Sequence, residues 1–384
     1  KGVALSNYRG SYPVSFKLEK NESFVGILEA VNDPNNIDGL IGGKLTSTKD
    51  VAVISGSTTG TNGTGMGHDY GIDQLVGTEN AGKEFIFIRG ESPKTVGGNP
   101  YYSIENIVLV PLVAGTTYVA NNGPATPITG DYAVIEGDAY NNNDNMYVVT
   151  SDPVMAFQVI GGVPSRLNNP EPNQGMFVVP PLNCTAKGEI NNIPFINRIG
   201  PTNPQNGGIG IVAETGNDVF LNGSLLNGAQ STENPKYVTY RISGLDQNLY
   251  DVNSTGELYV SYFTYRGSST SGGFYSGFQS APEFVFDVDL VALGPCLQNN
   301  LTLNASGVSG LDSIEWWYNP DAEEDPAKWQ KIPSSANINS LTPSQIGWYQ
   351  LRGVFFCGSI SETLVSNPVY IGNCPEDNLS LIHI

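Results

Sequence analysis

Imidazole chemistry has little material in these 384 residues, which hold two histidines, His68 and His383. The first sits in GHDYGID with Asp69 and Asp73, and a histidine beside two carboxylates could ligate a metal or move a proton. Its glycine-rich setting before an apolar run favours polar turn chemistry instead. No HExxH, G-x-S-x-G or Walker loop is present, and the glycines at Gly63, Gly65 and Gly67 lack the lysine and the strand-to-helix context of a phosphate cradle. Catalytic carboxylate pairs are recognised by their separation in space rather than in sequence, so a glycan-active enzyme, or an accessory domain of one, stays as an alternative function. No residue is assigned a catalytic role.

Calcium is the one cofactor the sequence offers. Asp138 and Asp144 bracket DAYNNND, and Asp321 and Asp325 bracket DAEED, two runs rich in hard oxygen donors but without D-x-D-x-D-G spacing. Solvated turns are preferred, because Asn and Asp populate turns with no ion bound. Ligand contacts are expected from Tyr140 and Asn143 in the first run. Others are expected from Phe263, Tyr265, Phe274 and Tyr275 in the aromatic, Gly/Ser-rich stretch 263–278, whose rings could stack on a sugar or a protein. Four cysteines, Cys184, Cys296, Cys357 and Cys374, fit no C-x-x-C metal site and indicate an oxidising compartment.

The framework that must position these residues is all-β. Glycine at 45, proline at 25 and 14% charged residues describe a chain of short strands and turns, with almost no helical periodicity. A net charge of −19 argues against nucleic acid as a partner. No apolar run approaches the roughly 18 residues of a membrane helix, so no membrane insertion is expected in this fragment.

One stretch organises the chain. KLTSTKDVAVIS at Lys44–Ser55 returns as YVVTSDPVMAFQ at Tyr147–Gln158 and DVNSTGELYVSY at Asp251–Tyr262, placing Val51, Val154 and Leu258 at steps of 103 and 104 residues. Such spacing predicts tandem antiparallel β repeats over 1–290, in units of about 1–90, 91–182 and 183–290. They would be sandwich-like modules or, alternatively, propeller blades. The texture then changes. Over 291–374 the strands LTLNAS, SIEWWYN, WQKI, SQIGWYQLRGVFF and TLVSNPVYI predict a C-terminal Ig-like β-sandwich, with Trp316 or Trp317 in its core and Tyr349 on its sixth strand. Cys296 and Cys357 would staple one end of it, a closure worth about 3–4 kcal/mol, and Cys184 and Cys374 are left over. Residues 375–384 read as a truncated acidic linker, and its end, LSLIHI, is what a transposase-type sequencing adapter encodes in one frame, so the tail reads as non-native.

Four segments carry a family resemblance: GGKLTSTKDVAVISGS, DQLVGTENAGKEFIF, NMYVVTSDPVMAFQVIGG, and MFVVPPLNC with INNIPFINRIG. They resemble the IgGFc-binding-protein N-terminal domain, in the form found in large secreted proteins of the Bacteroidetes, over about residues 1–290. The cysteine that mammalian members carry near Gly67–Asp69 is missing, so immunoglobulin binding does not transfer. The resemblance implies Ig-like modules, acidic calcium-binding repeats and a sorting domain further along such chains. It offers no catalytic residues. The expected function is therefore a non-enzymatic, adhesin-like region of a longer, multidomain secreted or cell-surface protein. Its partner would be an extracellular glycan or protein ligand, and a passive structural stalk is a further alternative.

Overall fold

The computed structural model describes residues 2–6, 14–19, 21–27, 38–49, 51–60, 69–96, 99–100, 104–162, 173–183, 186, 188–198, 205–246, 249–267, 269–274, 276, 283–286, 297, 301–306, 308, 311–321, 325–357 and 360–373. Among them there is no α-helix, and every strand pairing is antiparallel. The chain divides into two compact units, one of Lys1–Leu182 with Ala186–Phe278, the other of Asn183–Thr185 with Gln279–Ile384.

The first unit holds the repeats. The first comprises β1 (Gly2–Ser6), β2 (Val14–Lys17), β3 (Lys44–Ser47), β4 (Val53–Gly60) and β5 (Asp69–Leu75). The second runs through β6 (Gly82–Ile88), β7 (Thr95–Val96), β8 (Asn99–Pro100), β9 (Ile107–Pro111), β10 (Thr117–Ala120), β11 (Thr126–Pro127), β12 (Ala133–Ile135), β13 (Asn145–Gly161) and β14 (Gln174–Val179). The third has β15 (Glu189–Pro194), β16 (Asn206–Glu214), β17 (Val219–Leu221), β18 (Ser224–Leu225), β19 (Gln230–Ser231), β20 (Tyr237–Leu245), β21 (Leu249–Ser254), β22 (Leu258–Arg266) and β23 (Ser269–Phe274).

Lys44–Ser55 and its copies are not single inner strands. In the first and third copies the turn residues divide the stretch into β3 and β4, and into β21 and β22, which lie in different sheets. In the second copy β13 runs through, but its pairing with β6 shifts register between Val149 and Val154. Before the shift β13 pairs with β10, and after it with β9 and β14. The Ser/Thr/Asp-rich turn thus lets one chain pass from one sheet to the opposite sheet, the corner of a sandwich rather than of a propeller blade.

The registers coincide between copies. Before the turn, Ser47 pairs Val3, Thr150 pairs Tyr118 and Ser254 pairs Val219. After it, Ile54 pairs Gln74, Phe157 pairs Val178 and Ser261 pairs Phe274. The sheet order β11–β10–β13–β6 recurs as β18–β17–β21–β15, and β12–β9–β13–β14 as β20–β16–β22–β23. Local chemistry sets the hairpins: β17 and β18 are joined by Asn222 and Gly223, both at positive φ (48° and 75°), the type I′ turn whose twist suits two strands and which Asn-Gly adopts readily.

The second and third repeats each build a buried core, and Phe263 of the third also enters that of the second. The second buries Phe85, Phe87, Leu109, Val148, Val154 and Phe177, drawn from both sheets, and the third buries Ile193, Ile211, Val219, Val252, Leu258 and Val260. A further cluster of Ile86, Tyr147, Val212, Tyr237 and Tyr259 lies between those repeats. Side chains of this size contribute about 1.5–3 kcal/mol each when fully buried, so this seam is a substantial hydrophobic contact.

The second unit has two sheets. One orders β24 (Glu283–Phe286), β25 (Leu303–Ser306) and β28 (Ser340–Leu341). The other contains β26 (Ser313–Asn319), β27 (Gln330–Lys331), β29 (Gly347–Cys357), β30 (Ile360–Val365) and β31 (Val369–Ile371). Trp316 is fully buried between them and donates its indole N–H to the Ile338 carbonyl at 2.7 Å, while Trp317 on the same strand points outward. The Tyr349 hydroxyl reaches back to donate to the Gln345 carbonyl at 2.8 Å, closing the turn that leads into β29. Leu303 and Leu351 are fully buried in the same core.

Candidate binding surface

The acidic loop 138–144 faces the third repeat. Asn141 Oδ1 accepts the backbone N–H groups of Asn143 (2.9 Å) and Asn145 (3.2 Å), an Asx turn that aims the next side chains across the seam. Asn143 Nδ2 donates to the Ser231 carbonyl (3.0 Å) and hydroxyl (3.1 Å), and Asn122 Nδ2 donates to the Glu233 carbonyl (3.2 Å). From the other side, Arg241 donates to the carbonyls of Arg89 and Gly90 and pairs with Glu91 at 3.0 Å. Asn143 therefore joins two repeats. Tyr140 is buried in the core of the second repeat, which pushes its hydroxyl well above the usual tyrosine range. The amides of this loop satisfy backbone groups of the third repeat at the seam.

The described part of the aromatic stretch packs against its neighbours as well. Phe263 is buried in β22, with its ring over Gly208 of β16 and the Arg241 guanidinium 5.6 Å from its centre. Phe274 is half-buried against Phe177, ring centres 5.8 Å apart. Tyr265 is partly buried, and burial raises its hydroxyl pKa, with Glu91 adding to the effect and Arg241 opposing it. Alternation along a strand buries every second ring, which a run of aromatics in sequence does not disclose.

The acidic pairs hold lysine. Asp144 Oδ1 meets Lys94 Nζ at 2.7 Å, and Asp138 is exposed in the 3-10 turn Gly137–Ala139. Lys328 Nζ pairs with Asp321 and lies 3.8 Å from Asp325 Oδ2, while Asp325 Oδ1 caps the turn by accepting from Ala327 N at 3.0 Å. The ammonium supplies the positive charge expected of calcium. Among the described residues no group of three or more His, Cys, Asp or Glu side chains is placed to hold a metal. His68, Tyr275, Cys184, Cys296 and Cys374, the tail Leu379–Ile384, and the side chains of Asp69 and Cys357 lie outside the described residues. Asp73 is half-buried and accepts from Val178 N at 3.1 Å, tying the first repeat to the second.

Two further groupings lie outside the residues expected to bind. Glu105 and Arg89 are buried together, Arg89 Nε 3.9 Å from the carboxylate, which also accepts from Gly90 N (2.7 Å), Ser92 N (2.9 Å) and Gly161 N (3.3 Å). Burial raises the Glu105 pKa, and Arg89 and the three N–H donors oppose the rise. A Cβ on Gly161 would stand 2.0 Å from Ile104 Cγ2, so the backbone packs closely here, and the pair ties three segments together.

The other grouping is the outward face of the second unit. Residues 315 and 317 of β26 and 348, 350 and 352 of β29 share it by the period of two. Arg352 lies 3.8 Å over the Trp317 ring, and Trp317 Nε1 donates to Glu315 Oε2 at 3.3 Å. Glu315 Oε1 holds Lys331 at 2.6 Å, and this hydrogen bond lowers the Glu315 pKa. Trp348 and Tyr370 pack edge to face, ring centres 5.1 Å apart, with Tyr370 and Val365 exposed. Two tryptophans, a tyrosine and an arginine on one open sheet face are the side chains that most often anchor binding.

Comparison with known proteins supplies the rest. The family model for the IgGFc binding protein matches residues 1–264, which takes in all three repeats through most of β22. The chain belongs to the IgGFc-binding protein family. No curated protein sequence matches it significantly. Among solved structures it is similar to an anti-sigma factor domain-containing protein from Clostridium clariflavum, at 10% identity, covering 60% of this chain and 91% of that one with a TM-score of 0.15. The IgGFc-binding family is one of binding domains, and among the described residues of this member no helix is long and apolar enough to cross a membrane.

Proposed function

We propose that this chain is a non-enzymatic, adhesin-like binding region of a large secreted or cell-surface protein, with an extracellular protein or a glycan-bearing, mucin-like protein as its ligand. Family membership over residues 1–264 is the observation that carries the reading. In it, an Ig-like sandwich over about 291–374, stapled by Cys296 and Cys357, offers the Trp317–Trp348–Tyr370 face as a contact surface, while the repeats serve as its rigid carrier. Titratable groups in the repeats support this division, because Glu105, Arg241 and Asp144 are taken up by contacts inside the fold.

Protein and glycan arrays probed with the purified chain test the proposal. Binding is expected, with Trp348→Ala and Tyr370→Ala each weakening it about tenfold or more while the melting temperature of the unit holds. Turnover of a glycan that is lost on replacing a facing pair of Asp or Glu would overturn it.

A further inference from the structure

Arg352 is fixed on the outward face of the second unit with its terminal donors unused. Its guanidinium lies 3.8 Å over the Trp317 ring, and its Nε donates to Gln350 Oε1 at 3.1 Å. Among the described residues the two Nη groups donate to no acceptor. Glu315, opposite Arg352 on β26, is already engaged by Lys331 at 2.6 Å and by the Trp317 indole at 3.3 Å. Opposite on β30 stands Val365, 42% exposed, which offers neither charge nor acceptor. Burial lowers the Arg352 pKa and Glu315 opposes the fall, so the group keeps its charge but has lost part of its water. A planar, oriented and partly dehydrated fork is the side chain that best matches a carboxylate.

The same face continues along β29. Trp348 and Arg352 lie on either side of Gln350, about 13 Å apart at about 3.3 Å per residue, the reach of a trisaccharide. Tyr370 of β31 flanks Trp348, 37% exposed. The main chain of β29 is occupied on both sides, by β26 on one and by β30, Ser366 and β31 on the other. An extended peptide draws its affinity on a sheet from an open edge, and β29 has none to give. What the face offers is ring surfaces and one cation. The C–H side of a pyranose stacks on the electron-rich face of an aromatic ring, and a carboxylate fits the fork. A net charge of −19 repels a polyanion, which favours a single carboxylate among neutral sugars.

We infer that this face binds an oligosaccharide bearing one carboxylate sugar, with the carboxylate on the Nη groups of Arg352 and a neutral ring over Trp348 and Tyr370. The inference rests on the reading of this face as the contact surface and names the class of ligand. Trp317 and Gln350 are positioning residues, since they hold the guanidinium plane and leave its outer edge to the ligand.

The test is calorimetric titration of the intact chain with aldotriouronic acid, a glucuronate on xylobiose, and with the same trisaccharide reduced to the alcohol. Saturable binding of the acid is expected, about tenfold or more tighter than that of the alcohol. Arg352→Gln should remove the preference, whereas Trp348→Ala should weaken both sugars alike. Val365→Glu sets a competing carboxylate opposite Arg352 at a position already in water. It should weaken the acid about tenfold with the melting temperature unchanged, and it carries the test if Arg352→Gln does not fold. Equal affinity for acid and alcohol overturns the inference, as does binding of the acid that neither variant alters. An acidic peptide bound here in place of both sugars overturns it too. A protein ligand lost on Trp348→Ala, with neither trisaccharide bound, overturns the inference and leaves the contact surface standing. Ligand binding indifferent to both Trp348→Ala and Tyr370→Ala overturns the two together.

Discussion

Asn145 of the second repeat and Thr239 of the third are both buried, and the Asn145 amide donates to the Thr239 hydroxyl at 3.0 Å. The same Nδ2 donates to the Ser231 carbonyl at 3.0 Å, so one side chain satisfies two acceptors of the neighbouring repeat. A seam of this kind couples the repeats, because polar groups stranded there lose water with nothing in exchange.

Asn145→Leu should accordingly lower stability by about 2–3 kcal/mol, the cost of leaving buried acceptors unmet. The double variant with Thr239→Val should recover part of the loss by removing one stranded hydroxyl. Denaturant titration of the four proteins in the cycle measures both effects.

The Arg89–Glu105 pair makes the opposite contrast. Arg89→Met should cost about 3–5 kcal/mol, because a buried carboxylate then loses its counter-charge. Glu105→Gln should cost less, since the amide oxygen still accepts from the surrounding N–H groups. The pH dependence has a definite sign. The folded chain holds the Glu105 proton more tightly than the unfolded chain does, because burial raises its pKa above the ordinary 4.5. Its contribution to stability is then full below about pH 4.5 and falls as pH rises through the folded value. The stability of the parent relative to Glu105→Gln should decline over that interval in denaturation series at stepped pH, and a rise would contradict the assignment.

Gly208 faces Phe263 across the β16–β22 pair, and a Cβ there would fall 2.1 Å from the ring. Gly208→Ala should cost about 1–3 kcal/mol through overpacking. Gly223→Ala should also destabilise, but through backbone strain at φ 75°, since nothing stands within 4 Å of that position. The crystal structures of the two variants should separate the causes, with a displaced Phe263 ring in the first and no side-chain shift in the second.

Calcium should find no site between Asp321 and Asp325 in the parent chain, where Lys328 pairs with both carboxylates. Lys328→Ala removes that charge and should open weak calcium binding, with a dissociation constant of about 10⁻³ M or weaker. Calorimetric titration of parent and variant checks this, and tight binding by the parent would contradict it.

The repeat was legible in the sequence because a turn rich in Ser, Thr and Asp and the apolar alternation beside it are local properties, and the steps of 103 and 104 residues match the register of all three copies. Strand SIEWWYN was equally legible, as was a buried tryptophan on it, since alternation makes Trp316 and Trp317 point to opposite faces. The sheet each half of the repeated stretch joins was not legible, because alternation states which side chains share a face and says nothing of which strand lies alongside. For the same reason the sequence does not disclose that Tyr140 and Phe263 lie in a core and that Asn143 bonds across the seam.

By itself the sequence determined the all-β class, the threefold repetition, the turn chemistry and the acidic charge, all of which depend on residues near one another in the chain. Only the tertiary structure decided that Glu105 is buried against Arg89, that Lys328 occupies the acidic turn, and that Leu45 is exposed where Val148 and Val252 are buried. Burial and charge pairing arise from segments brought together across long separations, so the same apolar residue at the same register position is core in one repeat and surface in another.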